Sequence, residues 1–179
     1  LFTFHSETLS AVDIRKEIKR ILEVIDDSNI NVLFTYANSD DGGRIINNEI
    51  EQFSSKDKEK YLVVKSLGQL KYLSAMNHLD FVIGNTSSGI IEAPSFKVPT
   101  VNIGIRQNGR IKANSIIDCT ENKTAIVEAI NSAISKDMKE TCSNVISPYA
   151  GPGASEKIVD TIVNKNLENI KIKRFYDLK

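Results

Sequence analysis

Apolar positions along the chain alternate between two spacings. LFTFH (1–5) reads as a strand. Ile14, Ile18, Ile21, Leu22 and Ile25 then fall on one face of a helix, with Ser6 as its candidate cap. NVLFTYA (31–37) is apolar at consecutive positions, as a strand covered on both faces should be. NSDDGGR follows as a loop, and a polar helix runs to about Lys56. YLVVKS (61–66) reads as a strand, GQLKYLSAMNHL (68–79) as a helix and DFVIG (80–84) as a strand. A short helix starts near Ser87 and ends before the strand PTVNIG (99–104), and SIIDC (115–119) is a further strand. Helices near 122–135 and 154–167 precede a charged tail, KIKRFYDLK. Strands alternating with helices across ordinary loops predict α/β architecture: a doubly wound, Rossmann-like parallel sheet with helices on both faces. Ligands of such sheets sit beyond the carboxyl ends of the strands, near the switch in strand order.

Composition narrows the function classes. The 179 residues suit one domain with a real core. Lys plus Arg (23) balance Asp plus Glu (23), so no nucleic-acid surface is expected. Cys119 and Cys142 lack metal-ligand spacing, which favours a reduced, cytoplasmic protein. No apolar run approaches the roughly 18 residues of a membrane span, and no signal peptide is read. The chain opens on an apolar run without Met, which suggests that an N-terminal part is missing.

The densest chemistry lies in IGNTSSGIIEAPSFKVPTVNIGIRQNGR (83–110). A strand ending in small hydroxyl residues at a helix start offers unpaired N–H groups and the positive end of the helix dipole to an anion. Thr86, Ser87, Ser88 and Gly89 can meet a diphosphate in this way. Glu92, about a turn further on, does not suit phosphate; its carboxylate suits two vicinal hydroxyls, as on a ribose. Arg106 and Arg110 follow the next strand and can supply positive charge. Taken singly, each residue is also explained by a capped helix and solvated arginines. GxGxxG, GxxxxGK[ST] and GxSxG are all missing, which argues against a dinucleotide domain, a P-loop NTPase and a serine hydrolase. His78 reads as a surface residue, and the Asp40–Arg44 loop either lines a cleft or makes a plain turn.

GNTSSGIIEAPSFKVPTVNIGIRQNGRIKANSIIDC resembles the signature of the UDP-N-acetylglucosamine 2-epimerases, in their hydrolysing, sialic-acid-pathway branch. FTFHSETL resembles that family's strand ending in His before a helix. NSDDGGRIIN and SPYAGPGASEKIV continue the match in order. Ile90 and Ile91 before Glu92, where the non-hydrolysing branch has Gln-Glu, favour the hydrolysing branch. Ser6 stands where relatives often have Pro, and Pro152 stiffens a loop between two glycines.

The resemblance implies residues 1–179 as the single C-terminal, nucleotide-binding domain of a two-domain, GT-B enzyme whose N-terminal domain is absent. UDP-N-acetylglucosamine plus water would give N-acetylmannosamine and UDP. A hydrolysing epimerase for UDP-N,N'-diacetylbacillosamine and a non-catalytic sugar-nucleotide sensor are the alternatives. His5 would be the active-site histidine. Thr86, Ser87, Ser88 and Gly89 would hold the diphosphate, Glu92 the ribose and Arg106 the nucleotide end. The implied partners are a UDP-sugar, the N-terminal domain and a second copy in a homodimer, with no metal or other cofactor. The fragment itself would be inactive, because the other catalytic acids lie in the absent domain.

Overall fold

In the computed structural model residues 1–7, 13–166 and 168 are described. Among them, β1 (Phe2–Thr3), β2 (Val32–Thr35), β3 (Tyr61–Val64), β4 (Val82–Gly84), β5 (Thr100–Ile103) and β6 (Ile116–Cys119) form one parallel sheet. The strand order is β3-β2-β1-β4-β5-β6. It runs outward from β1 in both directions, so the switch lies between β1 and β4, where Phe2 pairs with Ile83 and Thr3 with Gly84. This is the doubly wound sheet that the sequence predicts.

Successive strand residues point to opposite faces, and both faces are covered. Phe2, Phe34, Ile83 and Val101 point to one face, against α1 (Ile14–Asp27), α2 (Gly43–Ser54) and α5 (Lys123–Ala133). Their buried partners there include Ile18, Ile21, Ile50 and Ile126. Leu1, Leu33 and Val82 point to the other face, against Met76 of α3 (Gly68–Met76) and Ala93 of a 3-10 turn, Ala93–Phe96. Phe34 is fully buried, with the rings of Phe2, Phe53 and Tyr61 at 5.2, 6.0 and 6.1 Å. The short helix α4 (Ser87–Ile91) leads into the 3-10 turn.

Several boundaries differ from the expectation, each for a local reason. β1 is two residues long, because the His5 N–H leaves the ladder for the side chain of Asn85. Asp13, and not Ser6, caps α1: its carboxylate accepts from the amides of Arg15 and Lys16 at 3.1 and 3.4 Å. Ser6 instead donates its hydroxyl to the Asp41 carbonyl. The helix expected over 122–135 ends at Ala133, and Ser135 caps a separate helix, α6 (Lys136–Asn144). That helix escapes the periodicity reading because Cys142 is its one buried residue.

Chain contacts divide the protein into Leu1–Tyr149 and Ala150–Lys179. In the second unit α7 (Ala154–Asn164) buries none of its residues, and Ile158, Val159, Ile162 and Val163 are exposed. Residue 167 and the charged tail (171–179) lie outside the described residues. Among the described residues no helix is long and apolar enough to cross a membrane.

Candidate functional site

The chain leaves the sheet after β1, β4 and β5 on the same side of the switch, and the residues singled out from sequence collect there. Thr86 has extended backbone and caps α4, its Oγ1 accepting the Ser88 N–H at 3.4 Å. Gly84, with φ of 133°, ends β4 in a conformation that disfavours any side chain, and a Cβ there would overlap the Thr3 carbonyl. β1 and β4 can therefore approach closely at the switch.

A cavity of about 400 Å³ opens beside this turn, lined by Thr35, Lys65, Tyr72, Thr86, Ser88 and Glu92 among others. The Tyr72 hydroxyl faces the side chains of Ser88, Thr3 and Thr86. Burial pushes the Tyr72 phenol above its ordinary range, so it stays protonated and can donate. Ser88 Oγ is buried and makes no well-formed hydrogen bond, although the Tyr72 hydroxyl faces it, a hydroxyl whose desolvation a ligand could offset. Glu92 follows α4; its N–H donates to the Ser88 carbonyl at 2.9 Å, and the residue lines the cavity. The cavity thus unites Thr86, Ser88 and Glu92.

Ser87 and Gly89 do not line it. Gly89 is buried against β5: its carbonyl accepts from Thr100 Oγ1 at 2.8 Å, and a Cβ there would lie 2.7 Å from Thr100 Cγ2. Glycine at this position lets α4 pack closely onto the sheet. A larger opening of about 580 Å³ runs beside β6, from Gly104 to Ser132, but none of the sequence-selected site residues lines it.

His5 and Arg106 occupy the other side of the turn and meet through Asn85. The Arg106 guanidinium donates to the Asn85 carbonyl at 3.1 Å. Burial is the main force lowering the His5 pKa, and the Arg106 charge adds to it, against a hydrogen bond to the Asn38 side chain and the charge of Asp40. The imidazole is therefore neutral at pH 7. Its Nδ1 accepts the Asn38 main-chain N–H at 3.2 Å, which leaves the ring proton on Nε2. The Asn38 Oδ1 also lies 3.1 Å from Nδ1; turning that amide so that its NH2 faces the ring makes both contacts fit the Nε2–H tautomer.

The NSDDGGR loop packs tightly here because a Cβ at Gly43 would overlap the Asn38 carbonyl. Asp40, Asp41 and Arg110 are exposed, as is His78 beyond the end of α3. Burial, then Asp118 and Glu121, push the Cys119 thiol up to about 11, and burial raises Cys142 as well, so neither is poised as a thiolate. Among the described residues no three His, Cys, Asp or Glu side chains are grouped as metal ligands would be.

Sequence reading missed Glu7, Asn38, Tyr72, Asn85 and Gln107. Asn85 alone had a visible signal, as the residue between a strand end and TSSG. The others reach the site from separate loops and a helix.

Comparison with known proteins follows the same lines. The family model described as UDP-N-acetylglucosamine 2-epimerase matches residues 1–163. GDP/UDP-N,N'-diacetylbacillosamine 2-epimerase (hydrolyzing) of Campylobacter jejuni subsp. jejuni serotype O:2 is 39% identical over 180 residues, covering 99% of this chain and 46% of that protein. Polysialic acid biosynthesis protein P7 of Escherichia coli is 37% identical, covering 98% and 45%. The solved UDP-GlcNAc 2-epimerase of Methanocaldococcus jannaschii, in complex with UDP-GlcNAc and UDP, superposes with a TM-score of 0.63 at 18% identity, over 90% of this chain and 44% of that one. The chain spans about half the length of the curated relatives it matches. A match over residues 1–163, on a sheet of this order, makes the chain a member of the UDP-N-acetylglucosamine 2-epimerase family.

Proposed function

We propose that this chain is the nucleotide-holding part of a hydrolysing UDP-sugar 2-epimerase, one that turns UDP-N-acetylglucosamine and water into N-acetylmannosamine and UDP for a sialic-acid-type pathway. The observation that carries the reading is the cavity uniting Thr86, Ser88 and Glu92 at the switch between β1 and β4. The Thr86 and Ser88 hydroxyls suit a diphosphate, while Ser87 and Gly89, which do not line the cavity, can offer it only main-chain N–H groups of the helix start. Glu92 suits the paired hydroxyls of a ribose, each of which donates to its carboxylate. Arg106 supplies positive charge toward the departing diphosphate, and the neutral His5 offers its Nε2–H there.

The chemistry balances without a redox partner. The C1–O bond to UDP breaks as C2 gives up its proton to a base, leaving a glycal. Water then adds, its hydroxyl to C1 and its proton to C2 from the opposite face. Carboxylates of a preceding domain supply the acid and base, so this chain holds the leaving group and the partner domain moves the protons. The enzyme works in the cytoplasm as a homodimer.

UDP-N,N'-diacetylbacillosamine is the second reading, favoured by the name of the 39% identical relative. Full-length protein incubated with each UDP-sugar separates the two, with products identified by NMR. N-acetylmannosamine with equimolar UDP supports the first reading, and the mannose-configured diacetamido sugar with UDP supports the second. Epimerised UDP-sugar with no free UDP rejects hydrolysis. Folded chain that takes up no UDP at millimolar concentration rejects the site.

A further inference from the structure

Asn85 is fully buried, and all of its polar groups are engaged across the switch. Its Oδ1 accepts the His5 N–H at 2.7 Å while its Nδ2 donates to the His5 carbonyl at 2.8 Å. The two residues are 80 apart in sequence. Its main-chain N–H donates to the Thr3 carbonyl at 3.2 Å. Its own carbonyl accepts from Arg106 Nη1 at 3.1 Å and from Gln107 Nε2 at 2.8 Å, and Gln107 is itself only 2% exposed. Glu7 closes the ring, one carboxylate oxygen accepting the N–H groups of Ile105 and Arg106 at 3.2 and 2.9 Å.

We propose that Asn85 is a positioning residue that holds the His5 backbone and the Arg106 guanidinium in one fixed arrangement. The chemistry of the clasp selects the residue type. A side chain that both accepts from N–H and donates to C=O of the same neighbour must be a primary amide, and the short reach here suits Asn. Asp has no proton to donate at neutral pH and would set an anion against the His5 carbonyl. Ala makes neither bond and leaves buried N–H and C=O groups of His5 without partners. With the His5 backbone held, the ring stays between Asn38 and Arg106; released, it turns toward solvent. The role assigned to His5 and Arg106 rests on the proposed function, but the clasp itself is testable without it.

The chain contains two histidines, so exposed His78 is an internal reference for an NMR titration of His5. In the unmodified chain His5 titrates below its ordinary value, and the His5 amide and one Asn85 side-chain N–H exchange with solvent at least tenfold more slowly than exposed asparagine amides. In N85A the His5 midpoint rises toward that of an ordinary imidazole, and in N85D it rises further. Folded variants whose His5 midpoint stays at the unmodified value overturn the proposal. Should neither variant fold, rapid exchange of both amides in the unmodified chain overturns it. UDP titration of the same samples keeps the two ideas apart: unmodified chain that fails to bind UDP defeats the proposed function and leaves the His5 readings to decide this one.

Discussion

Replacing Glu17 by Gln removes a carboxylate that α1 carries into the protein, where the residue is 6% exposed. Burial raises its pKa from 4.5 to about 7, helped by the negative charges of Glu121 and Glu7 and opposed by Arg20. Between those two values the unfolded chain has released a proton that the folded chain keeps. Folding therefore loses stability as pH rises from 4.5 to about 7, and the whole penalty is present above 7. At ~1.4 kcal/mol per pH unit, the displacement corresponds to about 3 kcal/mol. Gln keeps the shape of the protonated acid and never ionises. E17Q should therefore match the unmodified chain at pH 4, exceed it by about 1 to 1.5 kcal/mol at pH 5.5 and by about 3 kcal/mol at pH 8. Urea unfolding followed by circular dichroism at these three pH values measures the gap. A gap that is equal at pH 4 and pH 8, or no gain at pH 8, refutes the account of a carboxylate held protonated by burial.

Three other predictions test the site and its support. Glu92→Ala should weaken UDP binding by at least tenfold in calorimetric titration while pyrophosphate changes less than threefold; equal losses contradict the ribose assignment. Gly89→Ala sets a methyl 2.7 Å from Thr100 Cγ2. It should cost about 1–3 kcal/mol in urea unfolding, as overpacking does, and weaken UDP by moving α4; an unchanged midpoint shows that the helix can move off β5 freely. Cys119, with its thiol pushed up to about 11, should react with iodoacetamide at pH 7.5 at least tenfold more slowly than glutathione, and at a comparable rate in urea. Labelling in the folded chain at the glutathione rate contradicts the burial argument.

Sheet, layers and the cavity half of the site are legible in sequence because each signal is local. NVLFTYA sends Leu33 and Phe34 to opposite covered faces, so its unbroken apolar run marks a strand of a buried parallel sheet. Thr86, Ser88 and Glu92 share one crossover, and their spacing alone places them at a common helix start. Caps and short polar helices are less legible. Ser6 and Asp13 both have capping side chains, and Ser6 is diverted by the Asp41 carbonyl, a contact 35 residues away. Helix α6 carries one buried residue and so has no periodic stripe to detect.

The half of the site around His5 has a different physical basis, and this is why sequence misses its supports. Its geometry depends on hydrogen bonds between residues that lie 80, 99 and 21 positions apart. Such bonds leave no periodicity. Each contributes a net ~0.5–1.5 kcal/mol, but a buried donor or acceptor stripped of its partner costs about 1–3 kcal/mol. The two side-chain bonds of Asn85 therefore matter most: losing them orphans the His5 N–H and carbonyl, whereas displacing Arg106 still leaves Gln107 on the Asn85 carbonyl. The His5 backbone sits just past the junction of β1 with β4, where a Cβ at Gly84 would overlap the Thr3 carbonyl. A single amide at the carboxyl end of the central strands thus ties the orientation of the imidazole to the packing of the switch.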